Sequence, residues 1–134
     1  MTSRFHRALN ARQVLEVPMD DVRFISFNAQ IRSIGTQNLN GCTAVGLFSP
    51  AGAIMTHIPP NPDPRLGIAN LRRLMGQFIL LYHQHLAEFP SDVTSIVVGG
   101  TYRGTMALED HLTEIRSILS REGISPGFRS YSVS

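Results

Sequence analysis

Residues 39–58 read LNGCTAVGLFSPAGAIMTHI, and the pairing of the two apolar runs in this stretch decides the fold. Thr43 to Phe48 has the composition of a largely buried strand. Ser49-Pro50-Ala51-Gly52 supplies turn residues, and Ala53 to Ile58 is the second run. Two such runs across a short turn predict an antiparallel hairpin, in which the start of one strand lies beside the end of the next. Cys42, which precedes the first strand, and His57, which ends the second, therefore fall at the same open end. Asn40-Gly41 directly before the cysteine is a turn-forming pair. Its glycine permits a tight bend and a close approach of backbone to a ligand.

Working outward, Phe24–Phe27 and the alternation around Ile31 and Ile34 predict one or two strands before the hairpin. After it comes the rigid connector PPNPDP, with Asp63 placed as an N-cap and Pro64 at the first helical position. From Leu66 to about Glu88 the apolar residues recur at helical spacing, and Pro90 marks the end. Val93–Val98 predicts a strand stopped by Gly99-Gly100. Met106 to Glu122 predicts a second amphipathic helix with Gly123 as its stop, and Phe128–Val133 alternates as a final strand. These elements predict an α/β fold, a layered β-sandwich of mixed and antiparallel strands with hairpins, flanked by two long helices. Residues 1–20 read as an N-terminal arm and residues 21–134 as a single domain.

Composition narrows the function. With 43% hydrophobic and 16% charged residues the chain is globular and rather apolar. Its lone cysteine excludes an internal disulfide and four-cysteine zinc sites. All 12 basic residues are arginine, which removes Schiff-base lysine chemistry and the Walker-type phosphate loop. The missing lysines have two readings: a GC-rich genome first, and second, selection against lysine-directed ubiquitination of a protein delivered into a host cell. The arginines are scattered and lack interleaved aromatic platforms, so nucleic acid is not an expected partner. No apolar run approaches a membrane span and no signal peptide opens the chain. The expected location is the cytoplasm, or a host cytosol.

Cys42 and His57 each admit two readings. A lone cysteine usually packs as a small, inert hydrophobe. At the exit of a tight turn it could equally be a nucleophile, with turn amides aimed at a developing oxyanion. His57 either caps a strand end before Pro59-Pro60 or serves as the base for the thiol. The other histidines offer less. His83 and His85 point apart on a helix, His111 lies among Glu109, Asp110 and Glu114 on what reads as a solvated face, and His6 is in the arm. No three ligands fall at metal spacing, so neither a metal nor a cofactor is expected.

The run Thr36-Gln37-Asn38-Leu39-Asn40-Gly41-Cys42-Thr43-Ala44-Val45, followed by His57-Ile58-Pro59-Pro60, resembles the core of the CheD-like glutamine deamidases of bacterial chemotaxis. In that family a Thr precedes a Gly-Ser-Cys-type turn and a His precedes an apolar-Pro segment. Leu39-Asn40-Gly41-Cys42 also resembles the Leu-Ser-Gly-Cys of deamidating toxins such as the cytotoxic necrotizing factors. Weaker likeness runs through Ile96–Gly100 and Arg121–Ile124. Asn40 and Gly41 stand where the family has Gly-Ser. The asparagine signature after Gly100 and the C-terminal Gly-Gly and Gly-Arg elements are missing, losses that bear on receptor recognition more than on chemistry.

The resemblance implies a cysteine-dependent protein-glutamine deamidase working through a thioester. Cys42 would be the nucleophile, His57 the base and Thr36 the residue that orients the imidazole, by hydroxyl or backbone carbonyl. The Asn40-Gly41 turn would hold the oxyanion. The implied partner is a protein carrying an exposed glutamine. Capture of the thioester by an amine would give transglutaminase activity instead, and a non-catalytic binding module on the same fold is the alternative from another class. A redox sensor ranks last, for want of a resolving cysteine.

Overall fold

The computed structural model describes residues 4–90, 93–106 and 108–133. The elements in chain order are α1 (Arg4–Asn10), β1 (Val14–Glu16), β2 (Asp21–Ser26), β3 (Ser33–Gly35), β4 (Thr43–Phe48) and β5 (Gly52–Ile58). There follow α2 (Pro64–Gln84), a 3-10 turn (Leu86–Glu88), β6 (Thr94–Tyr102), β7 (Thr105–Met106), α3 (Glu109–Ser120) and β8 (Gly127–Ser132). The fold is a mixed α/β sandwich.

The hairpin at the centre forms as its sequence predicts. β4 and β5 pair antiparallel from Thr43–Ile58 to Phe48–Ala53, closed by the Ser49 hydroxyl, which accepts from the amides of Ala51 and Gly52. β2 adds antiparallel to the far edge of β5 and β6 to the far edge of β4, while β8 runs parallel to β6. Because side chains alternate across a strand, the hairpin has two distinct faces. Val45, Leu47, Ile54 and Ile58 meet Leu71, Leu74, Met75 and Phe78 of α2, and Leu112, Ile115 and Leu119 of α3, in one core. Both helices thus cover the same face. The other face carries Ala44, Ala53, Met55 and His57. It is partly covered by a small parallel sheet of β1 and β3, which brings Val17 and Ile34 onto Ala53.

The helix start is the predicted one: Asp63 accepts from the Arg65 amide at 3.0 Å and Pro64 opens α2. Three boundaries differ from the sequence reading. Residues 1–20 are not simply an arm, because Val14–Glu16 forms β1 and Val17 is 1% exposed in the second core; residues 1–3 lie outside the described residues. β6 does not stop at Gly99-Gly100 but runs to Tyr102, since β8 pairs with it from Ile96 to Thr101. The second helix begins at Glu109, not Met106. Thr105 and Met106 instead pair back onto β6 through an Arg103-Gly104 turn with φ of 53° and 80°, the signature of a type I′ hairpin; Ala107 lies outside the described residues.

Candidate functional site

Strand register places the two central residues at the same end of the hairpin. Ala44 pairs with His57, so both project from the face opposite the helices, and Cys42, two residues before Ala44, projects the same way. Carried one residue beyond the start of β4, this register sets Cys42 diagonally from His57. The ends of the small sheet lie over the same place. Thr36 follows β3 and Val17 follows β1, and the Val17 amide bonds to the Gly35 carbonyl at 2.8 Å.

The hydrogen bonds assign the imidazole tautomer. The Thr36 hydroxyl has one proton and donates it to the Val17 carbonyl at 2.7 Å. Toward His57 Nδ1, 2.8 Å away, it acts as acceptor, so Nδ1 carries the proton. Nε2 is then the basic nitrogen, and it is buried without a hydrogen-bond partner. The Thr36 side chain thus lies on the imidazole. The Val17 carbonyl shares the role, since its own bonding to the ring favours the charged imidazolium.

Burial sets the charge state of both residues. Cys42 is 3% and His57 2% exposed. Loss of solvent pushes the Cys42 thiol above its ordinary pKa and the His57 imidazole below its own, in the second case against the Val17 hydrogen bond. Desolvation penalises both charged forms at once. The resting site is a neutral thiol beside a neutral imidazole, not a preformed thiolate.

The turn before the cysteine is tight. The Cys42 amide bonds to the Leu39 carbonyl across Asn40-Gly41, and Gly41 has φ +87°, which the third position of a type II turn requires. This amide, an expected oxyanion donor, is engaged with Leu39 in the resting structure. Three participants were not singled out in the sequence. Val17 was assigned to the arm. Met19, 58% exposed, places its Sδ 3.8 Å from Cys42 Sγ and so covers the thiol. Tyr131 of β8 donates its hydroxyl to the carbonyls of Leu39 and Cys42. None had a local signal, because each arrives through long-range pairing; only Pro18 hinted that the segment around Met19 is a shaped loop.

The segment Val17–Asp20 is itself anchored. The Asp20 amide bonds to the His57 carbonyl at 2.7 Å. Its carboxylate takes hydrogen bonds from Asn70 at 2.9 Å and Arg73 at 3.0 Å on α2. One strap therefore supplies Val17 to Thr36 and the imidazole, Met19 to the thiol, and Asp20 to the histidine backbone.

The remaining histidines lie apart from the site. His83 pairs with Glu122 at 2.8 Å, His85 stacks on Phe24 at 3.7 Å between ring centroids, and His6 bonds to Gln37 at 3.0 Å. His111 corrects the reading of a solvated face: it is 5% exposed, because α3 rotates it onto Gly67 of α2. Among the described residues no group of three or more His, Cys, Asp or Glu is placed to hold a metal ion, and no helix is long and apolar enough to cross a membrane. Comparison with protein-family models and with curated proteins finds no match to this chain.

Proposed function

We propose that the chain is a cysteine-dependent protein-glutamine deamidase, acting in the cytosol of its own cell or of a host. The observation that carries this reading is the imidazole of His57, held through Nδ1 by the Thr36 hydroxyl, which itself rests on the Val17 carbonyl, with an unpartnered Nε2 at the cysteine end of the hairpin. His111 Nδ1 is buried without a partner as well, so what singles out His57 is the orienting bond at Nδ1 and its place at the cysteine end of the hairpin, not the unpartnered nitrogen by itself. A nucleophile, a base and a third group that orients the base is the general logic of covalent acyl transfer.

In this mechanism His57 Nε2 takes the Sγ proton as the sulfur attacks the side-chain carbonyl carbon of glutamine. The C–S bond forms and the carbonyl π pair moves to oxygen. The oxyanion returns its pair, the C–N bond breaks, and imidazolium passes its proton to nitrogen, releasing ammonia and leaving a thioester. His57 then activates water, which attacks the thioester carbon; thiolate leaves and recovers a proton, and the product is glutamate. Since both groups rest neutral, proton transfer accompanies attack. For the substrate to reach Sγ, Met19 must swing aside.

The test is incubation with a cell lysate followed by a mass-spectrometric search for Gln-to-Glu conversions. Conversions made by the parent and absent with Cys42→Ala support the reading, and identical spectra overturn it. Ammonia release without an added amine separates hydrolysis from transglutamination. The burial of Cys42 beneath Met19 favours a second reading, a non-catalytic docking module whose cysteine is packing. On that reading neither Cys42→Ser nor His57→Ala changes what the protein does to a lysate.

A further inference from the structure

Tyr131 reaches the cysteine turn from two strands away. β6 separates it from β4, and the β4–β6 register, carried two residues past Ala44–Val98, sets Cys42 against Gly100. Gly100 in turn pairs with Tyr131. The phenol crosses β6 at this glycine: a Cβ there would lie 3.3 Å from both Cζ and the hydroxyl of Tyr131, and 2.5 Å from Val133 Cγ2. A glycine inside a strand often marks such a close approach. Having crossed, the hydroxyl bonds to the carbonyls of Leu39 and Cys42, which bracket the Asn40-Gly41 turn.

The Leu39 oxygen therefore has two donors, the Tyr131 hydroxyl and the Cys42 amide. A carbonyl oxygen accommodates two, so neither is in excess. The Cys42 amide, on the same residue as Sγ, is also the donor this mechanism assigns to the oxyanion, and it cannot serve both oxygens at full strength. If it left Leu39 alone, a half-buried carbonyl would lose its partner, at a free-energy cost comparable to the bond gained.

We infer that Tyr131 is a positioning residue for the deamidation chemistry. Its hydroxyl holds the Leu39 carbonyl so that the Cys42 amide is released to the oxyanion when Sγ attacks. The phenolic proton, shared between two carbonyls at rest, settles on Leu39 as the amide departs and returns when the tetrahedral species collapses. Burial and the neighbouring cysteine raise the Tyr131 pKa above its ordinary value, so the hydroxyl remains a donor across the neutral range. This role rests on the deamidase reading of Cys42.

Two measurements on the full chain test it. The first is steady-state ammonia release from carbobenzoxy-Gln-Gly, and from the lysate glutamines, by the parent, Tyr131→Phe and Gly100→Ala. Removing one oxyanion donor outright slows acyl transfer by about 100- to 1000-fold, so weakening one should lower kcat by about 10- to 100-fold with KM nearly unchanged. Gly100→Ala, which displaces the phenol, should give a similar loss. A kcat for Tyr131→Phe equal to the parent's, per folded molecule, overturns the inference.

The second measurement needs no substrate. Cys42 is the only cysteine, so ¹⁵N-cysteine labelling gives a single amide resonance. In Tyr131→Phe the amide is the one left of these two donors to Leu39, its bond strengthens, and its proton should shift downfield and exchange several-fold more slowly. An unmoved resonance, or faster exchange, shows that the two donors do not compete and overturns the inference. Should the parent release no ammonia from either source, the deamidase reading falls by itself, and the resonance still decides whether Tyr131 and the Cys42 amide compete for Leu39.

Discussion

Thr36→Val removes one hydroxyl and keeps the shape of the side chain, and its effect can be worked from two distances. Thr36 Oγ1 accepts from His57 Nδ1 at 2.8 Å and donates to the Val17 carbonyl at 2.7 Å. In the resting site the first of these joins neutral groups and contributes about 0.5–1.5 kcal/mol. When Nε2 takes the thiol proton the ring becomes a cation, and the same bond contributes about 1.5–3 kcal/mol. Only the difference, roughly 1–1.5 kcal/mol, acts on the barrier, so kcat should fall by about tenfold. A larger loss is not expected, because the Val17 carbonyl remains to hold Nδ1–H. Folding stability should fall by about 1–2 kcal/mol, and Thr36→Ser should retain most of both. The assay is ammonia release at saturating substrate beside urea unfolding of each variant. Parent-like turnover by Thr36→Val with His57→Ala inactive would show that the hydroxyl is idle. Inactivation as complete as that of His57→Ala would show that Val17 does not hold the ring.

Iodoacetamide should alkylate parental Cys42 at pH 7 more slowly than free cysteine, because the thiol is buried and its pKa raised. Met19→Ala should speed the reaction by roughly tenfold or more, since thiolate access controls the rate; equal rates in parent and variant would show that Met19 is no cover. Cys42→Ala should abolish turnover while destabilising the fold by only about 1 kcal/mol, the scale of a small buried group lost beside a turn, and a variant that fails to fold would favour the docking-module reading. Acid should weaken the protein: burial lowers the pKa of His57 and His111 in the folded chain, so unfolded chains bind more protons as pH drops below about 6.5, and stability present above that value is lost. Urea midpoints at pH 7.5 and 5 measure this. His111→Gln should flatten the difference, and a midpoint that rises on acidification would refute the assignment.

The local elements were legible because each rests on interactions between near neighbours. β4 and the Asp63-Pro64 helix start depend on alternation, capping and turn chemistry within a few residues. The hairpin alone places Cys42 and His57 at one end, because its register follows from its turn. Thr36 was reachable only through resemblance, since nothing near it in the chain marks it as a partner of His57.

Tertiary structure decided what surrounds that pair. Val17 and Tyr131 come to the site through the β1–β3 and β6–β8 pairings, and Met19 on the loop between β1 and β2; these arrangements are set by burial of whole faces and leave no periodic trace at the residue concerned. β6 continues past Gly99-Gly100 because a strand from the far end of the chain pairs with it, and Gly100 then opens the way for Tyr131. Protonation likewise belongs to the folded state. Residue types alone leave the charge of a thiol and an imidazole open, whereas exclusion of water from both groups in the folded chain makes the neutral forms the resting ones.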